Sequence, residues 1–173
     1  DVYKRQIKGN ILKKIDLHKK IEAAKINLKA GNTLEANKIF QELLKTNNDS
    51  FDLLYEYGLF CKGLKNYNLS KRVFLHLINK FPSSINSHIL LAEILRMENK
   101  FKDAERVLQK AMKADSNNGD LLYNFSLLYV ASKNFDEALT SIDKAIKLSR
   151  NNVIYQILKS EIYINKYNID EAL

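Results

Sequence analysis

Residues 119–152 read GDLLYNFSLLYVASKNFDEALTSIDKAIKLSRNN. The same 34-residue pattern recurs on both sides of them. With Gly119 at repeat position 1, position 20 reads Ala36, Ser70, Ala104, Ala138 and Ala172. Position 8 reads Ala24, Gly58, Ala92, Ser126 and Ser160. Small residues fill all ten slots, which marks an internal repeat. A further column, just before each unit, reads Asp16, Ser50, Ser84, Asn118 and Asn152. All five residues suit a helix N-cap, where a side-chain oxygen accepts from a free N–H of the first turn.

Each unit alternates two helical patterns, with a small residue in the middle of each. Small groups at positions 8 and 20 allow the two helices to approach closely while larger apolar groups fill the surrounding space. Position 24 supplies Phe40, Phe74, Leu108 and Ile142. Position 17, placed in the turn, supplies Thr33, Tyr67, Phe101, Phe135 and Ile169. One helix pair cannot bury its apolar face alone, so neighbouring units must stack.

These columns resemble the tetratricopeptide repeat family, whose pattern runs Trp-x2-Leu-Gly-x2-Tyr, Ala-x3-Phe, then Pro. The second unit matches through Leu54, Tyr57, Gly58, Cys61, Ser70, Phe74 and Pro82. The fourth matches through Leu122, Phe125, Ser126, Tyr129, Ala138 and Ile142. The chain departs from the pattern in having no Trp and a single Pro, and Lys20 and Asn27 stand at usually apolar positions of the first unit. The resemblance covers residues 17–173. It implies an all-α, right-handed superhelical solenoid of antiparallel helix pairs, with the first helices lining a concave groove.

The expected units are 17–50, 51–84, 85–118, 119–152 and a truncated 153–173. Helices are expected at 17–30 and 34–47, 51–64 and 68–80, 85–98 and 102–114, 119–132 and 136–148, and 153–166. Gly31 suits a left-handed residue at a helix end. Residues 7–16 are expected as an N-terminal helical segment set before the first unit, compatible with the end of an upstream repeat, with Ile7, Ile11, Leu12 and Ile15 apolar. Residues 1–6, DVYKRQ, resemble a translated sequencing-adapter scar and are set apart from the fold. With that reading the chain is expected to be a fragment of a longer reading frame.

Charge and composition narrow the function classes. The formal net charge is +8, yet it is unevenly spread. Residues 7–30 carry seven lysines against Asp16 and Glu22, while residues 31–173 carry nineteen bases against seventeen acids. A phosphate-binding face would use clustered Arg and exposed aromatics, and the arginines are only Arg5, Arg72, Arg96, Arg106 and Arg150. No apolar run is long enough to span a membrane. Cys61 is the only cysteine and falls in a core column, so neither a disulfide framework nor a multi-cysteine metal site is expected. The cytoplasm is the default compartment, and the sequence does not fix an oligomeric state.

No catalytic constellation stands out. His18, His76 and His88 lack metal-ligand spacing. His88 falls at a packing position and His76 on an outer face. Asp103, Asp136 with Glu137, and Asp170 with Glu171 open second helices, where acids complement the helix dipole. Neither an enzyme nor a cofactor is expected.

What remains is the groove that the resemblance implies, lined by positions 2, 5, 6, 9, 12 and 13 of each first helix. Unit two places Tyr55, Glu56 and Lys62 there, and unit three places Ile89, Glu93 and Arg96. Unit four adds Tyr123, Asn124 and Leu127, and unit five adds Ile157 and Glu161. Position 5 is large and apolar or aromatic throughout: Ile21, Tyr55, Ile89, Tyr123, Ile157. That column either packs against the next repeat or forms an apolar stripe on the groove floor. Family members that clamp a C-terminal carboxylate use Lys and Asn at positions 5 and 9 of their first unit, where this chain has Ile21 and Lys25. Across units two to five Asp52, Glu56, Glu93, Asp120 and Glu161 face Lys62 and Arg96, a net −3. The expected function is a protein–protein interaction scaffold for a peptide or helix with apolar anchors and basic residues. Alternatives are a regulatory segment of a larger enzyme or sensor and, less favoured by that charge, an RNA-binding helical repeat; no nucleic-acid partner is expected.

Overall fold

Four of the five first helices end the same way. Position 15 adopts a left-handed backbone at Gly31, Lys65, Asn99 and Lys133, with φ of 81°, 58°, 59° and 63°. The following amide then reaches five residues back, as in Asn66 N–H to Cys61 O at 2.9 Å and Asn134 N–H to Tyr129 O at 2.8 Å. The left-handed residue's own amide bonds three residues back, as in Lys65 N–H to Lys62 O at 2.9 Å. This pair of bonds satisfies carbonyls that a helix end otherwise leaves free. The next helix begins at once, so position 17 is its first residue and does not lie in the turn.

The computed structural model describes residues 2–170, with side chains through 167. Among them run nine helices and no strand: α1 (Val2–Lys29), α2 (Thr33–Thr46), α3 (Phe51–Gly63), α4 (Tyr67–Lys80), α5 (Ile85–Met97), α6 (Phe101–Ala114), α7 (Gly119–Ala131), α8 (Phe135–Leu148) and α9 (Val153–Asp170). The architecture is an all-α helical-repeat solenoid. The chain divides into two compact units, 1–73 and 74–173.

Two expectations about the ends need correction. Residues 7–16 are not a separate segment, and Asp16 is not an N-cap. The chain is helical without a break from Val2 to Lys29, and Asp16 lies inside that helix, paired with Lys20 at 2.7 Å. Gly9 and Asn10 are weak helix formers, but no proline stops propagation, and one interior Gly costs only about 1 kcal/mol. At the other end, α9 runs on through Asp170 in place of turning after residue 166. Its position 15 is Tyr167, and a bulky aromatic is poorly suited to the left-handed conformation that makes the turn elsewhere. The described helices therefore make four pairs plus a lengthened α9. Ala172 and Glu171 lie outside the described residues, as do the side chains of Ile169 and Asp170.

The other N-cap positions hold. Ser50 Oγ accepts from Leu53 N–H at 3.4 Å, Asn118 Oδ1 from Leu121 N–H at 3.0 Å, and Asn152 Oδ1 from Ile154 N–H at 3.0 Å. Ser84 is an N-cap by position, but its hydroxyl bonds Ser87 Oγ instead.

The small columns do what their size requires. Ala24, Ala36, Ser70, Ala104, Ser126 and Ala138 are all fully buried, and Ala92 nearly so. Where a buried serine enters a column, its hydroxyl crosses to the partner helix. Ser70 Oγ donates to Gly58 O at 2.8 Å and Ser126 Oγ to Ala138 O at 2.9 Å. Each bond removes the cost of an unpaired buried hydroxyl. Ser160, in the same column on α9, is exposed.

In unit 1–73 the core gathers Phe40, Tyr57 and Phe60, with ring centroids 5.0–6.2 Å apart. Cys61 is buried there, and burial pushes its thiol up, so it is a packing residue. In unit 74–173 one cluster joins Ala92, Ala104, Leu108, Leu121, Phe125 and Leu128, and a second joins Ala138, Ile142, Ala145, Tyr155, Leu158 and Ile162. His88 is buried, its Nδ1 2.8 Å from Ser84 O, whereas His76 is exposed.

Candidate functional site

First helices carry the candidate residues, so each compact unit presents its own face. In unit 1–73 the face of α1 and α3 encloses a cavity of about 270 Å³ lined by His18, Ile21, Glu22, Lys25, Asp52, Tyr55 and Glu56. Lys25 Nζ bridges Glu22 Oε1 at 2.8 Å and Glu56 Oε1 at 3.2 Å. These bonds raise the Lys25 ammonium above its usual range, and the one from Lys25 holds the Glu22 carboxyl low. Glu56 is thus part of an ion-paired triad and not a lone groove acid. Tyr55 stacks on Phe51 with centroids 5.7 Å apart, and burial, then the Glu56 charge, pushes its phenol up. Lys62 is half-buried on the same helix.

In unit 74–173 the residues come from α5, α7 and α9. Ile89, Glu93 and Arg96 on α5 are half-buried, as are Tyr123, Asn124 and Leu127 on α7. Ile157 and Glu161 on α9 are exposed. Tyr123 links α7 to α9. Its ring stacks on Tyr155 at 5.5 Å between centroids. Burial first, then the Glu161 charge, raises its phenol, while Arg96 opposes the rise. Asn124 Nδ2 donates to Asp120 O at 2.8 Å within its own helix.

Position 5 is therefore not uniform. Ile21 is buried in the packing, Tyr55, Ile89 and Tyr123 are partly covered, and Ile157 is 53% exposed. The same slot thus runs from core packing at Ile21 to solvent at Ile157.

One contact was not visible in the repeat pattern. Tyr155 Oη donates to Asp120 Oδ1 at 2.8 Å, and a Cβ on Gly119 would stand 2.9 Å from Tyr155 Oη. Burial, then the hydrogen bond to Asp120, pushes the Tyr155 phenol up to about 12. Gly119 is thus required by close approach, and Asp120 spends part of its charge inside the fold. No group of His, Cys, Asp and Glu among the described residues could hold a metal ion. No helix among them is long and apolar enough to cross a membrane.

Helix pairs of 34-residue period with small residues at both crossing points define the class, and the comparisons agree. Residues 95–172 match the tetratricopeptide repeat family. That match covers the later part of the chain, and the helix pairs before it share the same fold. A thermophilic tetratricopeptide repeat protein of Thermus thermophilus is similar at a TM-score of 0.72 and 19% identity, covering 90% of this chain and 86% of that one. MamA of Desulfovibrio magneticus is similar at 0.71 and 18%, covering 90% and 88%. YrrB, a tetratricopeptide repeat protein with an unusual peptide-binding site, is similar at 0.68 and 20%, covering 80% and 71%. No curated protein matches the sequence.

Proposed function

We propose that the chain is a non-catalytic protein–protein interaction scaffold, and that the α5–α7–α9 face of unit 74–173 binds a peptide or helix of its partner. The observation that carries this reading is the grouping of Ile89, Tyr123 and Leu127, all partly accessible, beside Arg96 and Glu161. Solvent-reachable apolar side chains on one face, set among a few charges, suit an amphipathic helix or an extended segment. A solved neighbour with a peptide-binding site on the same fold supports the class of ligand. Glu93, Asp120 and Glu161 outnumber Arg96 on this face, which favours a ligand with Lys or Arg and disfavours a phosphate backbone.

Apolar anchors supply most of the affinity, since full burial of a large side chain is worth about 1.5–3 kcal/mol. Exposed charge pairs add about 0–1 kcal/mol each and set orientation. A peptide array probed with the whole chain tests this directly. Recovered peptides should combine apolar and basic residues. Tyr123→Ala should weaken them more than Glu161→Gln, while Glu161→Gln should flatten the dependence on salt. Recovery of acidic peptides alone, or binding indifferent to Tyr123, would overturn the assignment.

A further inference from the structure

Unit 74–173 has a second recess, away from the first-helix face, where the ends of α6 and α8 meet the start of α7. Met112 on α6, Asn117 in the loop, Leu122 on α7, and Lys144, Lys147 and Leu148 on α8 line about 420 Å³ there. Met112 and Leu122 are half-buried and Leu148 is 47% exposed, so the lining is an apolar floor open to solvent. Concave apolar sites with a few placed polar groups are the usual form of a binding pocket.

The charges on the rim are of one sign. Lys144 and Lys147 are the charged residues of the lining, both are exposed, and neither is ion-paired among the described residues. Two other lysines of this unit, by contrast, are held: Lys159 by Asp143 at 2.7 Å and Lys166 by Asp136 at 2.6 Å. Asp115, the acid of the adjoining loop, is already engaged by Asn117 N–H at 3.2 Å and Asn118 Nδ2 at 3.0 Å. Lys147 lies in the last turn of α8, where a cation offsets the helix dipole. That effect accounts neither for Lys144, one turn earlier, nor for the apolar floor between the lysines and α6.

We propose that this recess binds a peptide segment with one leucine- or phenylalanine-sized anchor flanked by Asp or Glu. The anchor fills the space between Met112, Leu122 and Leu148, and the flanking carboxylates pair with Lys144 and Lys147. Its charge preference is opposite to that of the α5–α7–α9 face, so the two surfaces sort different ligands by sign as well as by place.

The test uses the full chain, isotopically labelled for amide chemical-shift mapping, and three capped probe peptides. These are Asp-Glu-Leu-Phe-Glu-Asp, its basic counterpart Lys-Arg-Leu-Phe-Arg-Lys, and the anchorless Asp-Glu-Ser-Ser-Glu-Asp. The first should move the amides of Met112, Asn117, Leu122 and Leu148, and the other two should leave them in place. Reversing both rim charges, Lys144→Glu with Lys147→Glu, should weaken the first peptide about tenfold while leaving the rest of the spectrum unchanged. Leu122→Trp, which fills the recess, should abolish binding; the exposed lysine variants decide the matter if that variant does not fold. Equal binding of the basic or anchorless peptide at these amides, or an unchanged affinity after charge reversal, would overturn the proposal.

Discussion

Gly119→Ala removes the one residue that lets Tyr155 sit against the start of α7. A Cβ at that position would lie 2.9 Å from Tyr155 Oη and 3.4 Å from Cε2. Tyr155 cannot swing aside freely, because it is 4% exposed and packed among Ile142, Leu158 and Ile162. Relief must come from displacing its hydroxyl from Asp120, and a hydrogen bond to a charged group is worth about 1.5–3 kcal/mol. Alanine recovers under about 1 kcal/mol of helix propensity in the first turn. The net expected cost is about 1–2 kcal/mol, with each kcal/mol lowering Tm about 2–4 °C for a chain of this size. The deciding assay is a double-mutant cycle with Tyr155→Phe, read by urea unfolding. Without the hydroxyl oxygen the remaining contacts begin at 3.4 Å, so Gly119→Ala should become neutral or stabilising in that background. An equal cost with and without the oxygen, or a gain in the native background, would refute the close-approach argument.

Ala138→Leu should cost about 1–3 kcal/mol by overpacking a site with no accessible surface, whereas Thr140→Leu, at an exposed position on the same helix, should stay within about 0.5 kcal/mol; equal melting curves would disprove the proposed crossing point. Tyr129 and Tyr155 are both pushed up to about 12, by burial first and then by hydrogen bonds to Glu105 and Asp120. A raised folded-state value holds its stabilisation below the unfolded value near 10 and loses it as pH climbs to about 12. Stability should therefore decline across that window, and less so in Tyr129→Phe with Tyr155→Phe; a flat profile would contradict the buried-donor assignment.

The period, the all-α class and most helix boundaries were legible because they rest on local chemistry. Ala36, Ala104 and Ala138 recur at one slot because the partner helix leaves room for nothing larger, and volume repeats wherever geometry repeats. The turn was also legible in part: Asn32, Asn66 and Asn134 follow the left-handed residues Gly31, Lys65 and Lys133, a column that position 17 had obscured. Candidate groove residues were named from the slots that the family resemblance implies, and helical periodicity puts those slots on one side of each first helix.

What those residues do depends on neighbours far away in sequence. Lys25 neutralises Glu56 across 31 residues, and Tyr155 claims Asp120 across 35, so a charge count by slot overstates the acidity that a ligand would meet. Ile21 and Ile157 occupy the same repeat position, yet one is buried and the other exposed. The pattern assigns the side of the helix, and only the stacking of other helices decides how much of that side remains open. The same holds for Lys144 and Lys147, which read as ordinary surface charges until α6, α7 and α8 place them around an apolar recess. Sequence determined the repeating volumes, because they act within a turn or two of helix; tertiary structure alone decided pairing, exposure and cavities, because those are properties of surfaces brought together from separate helices.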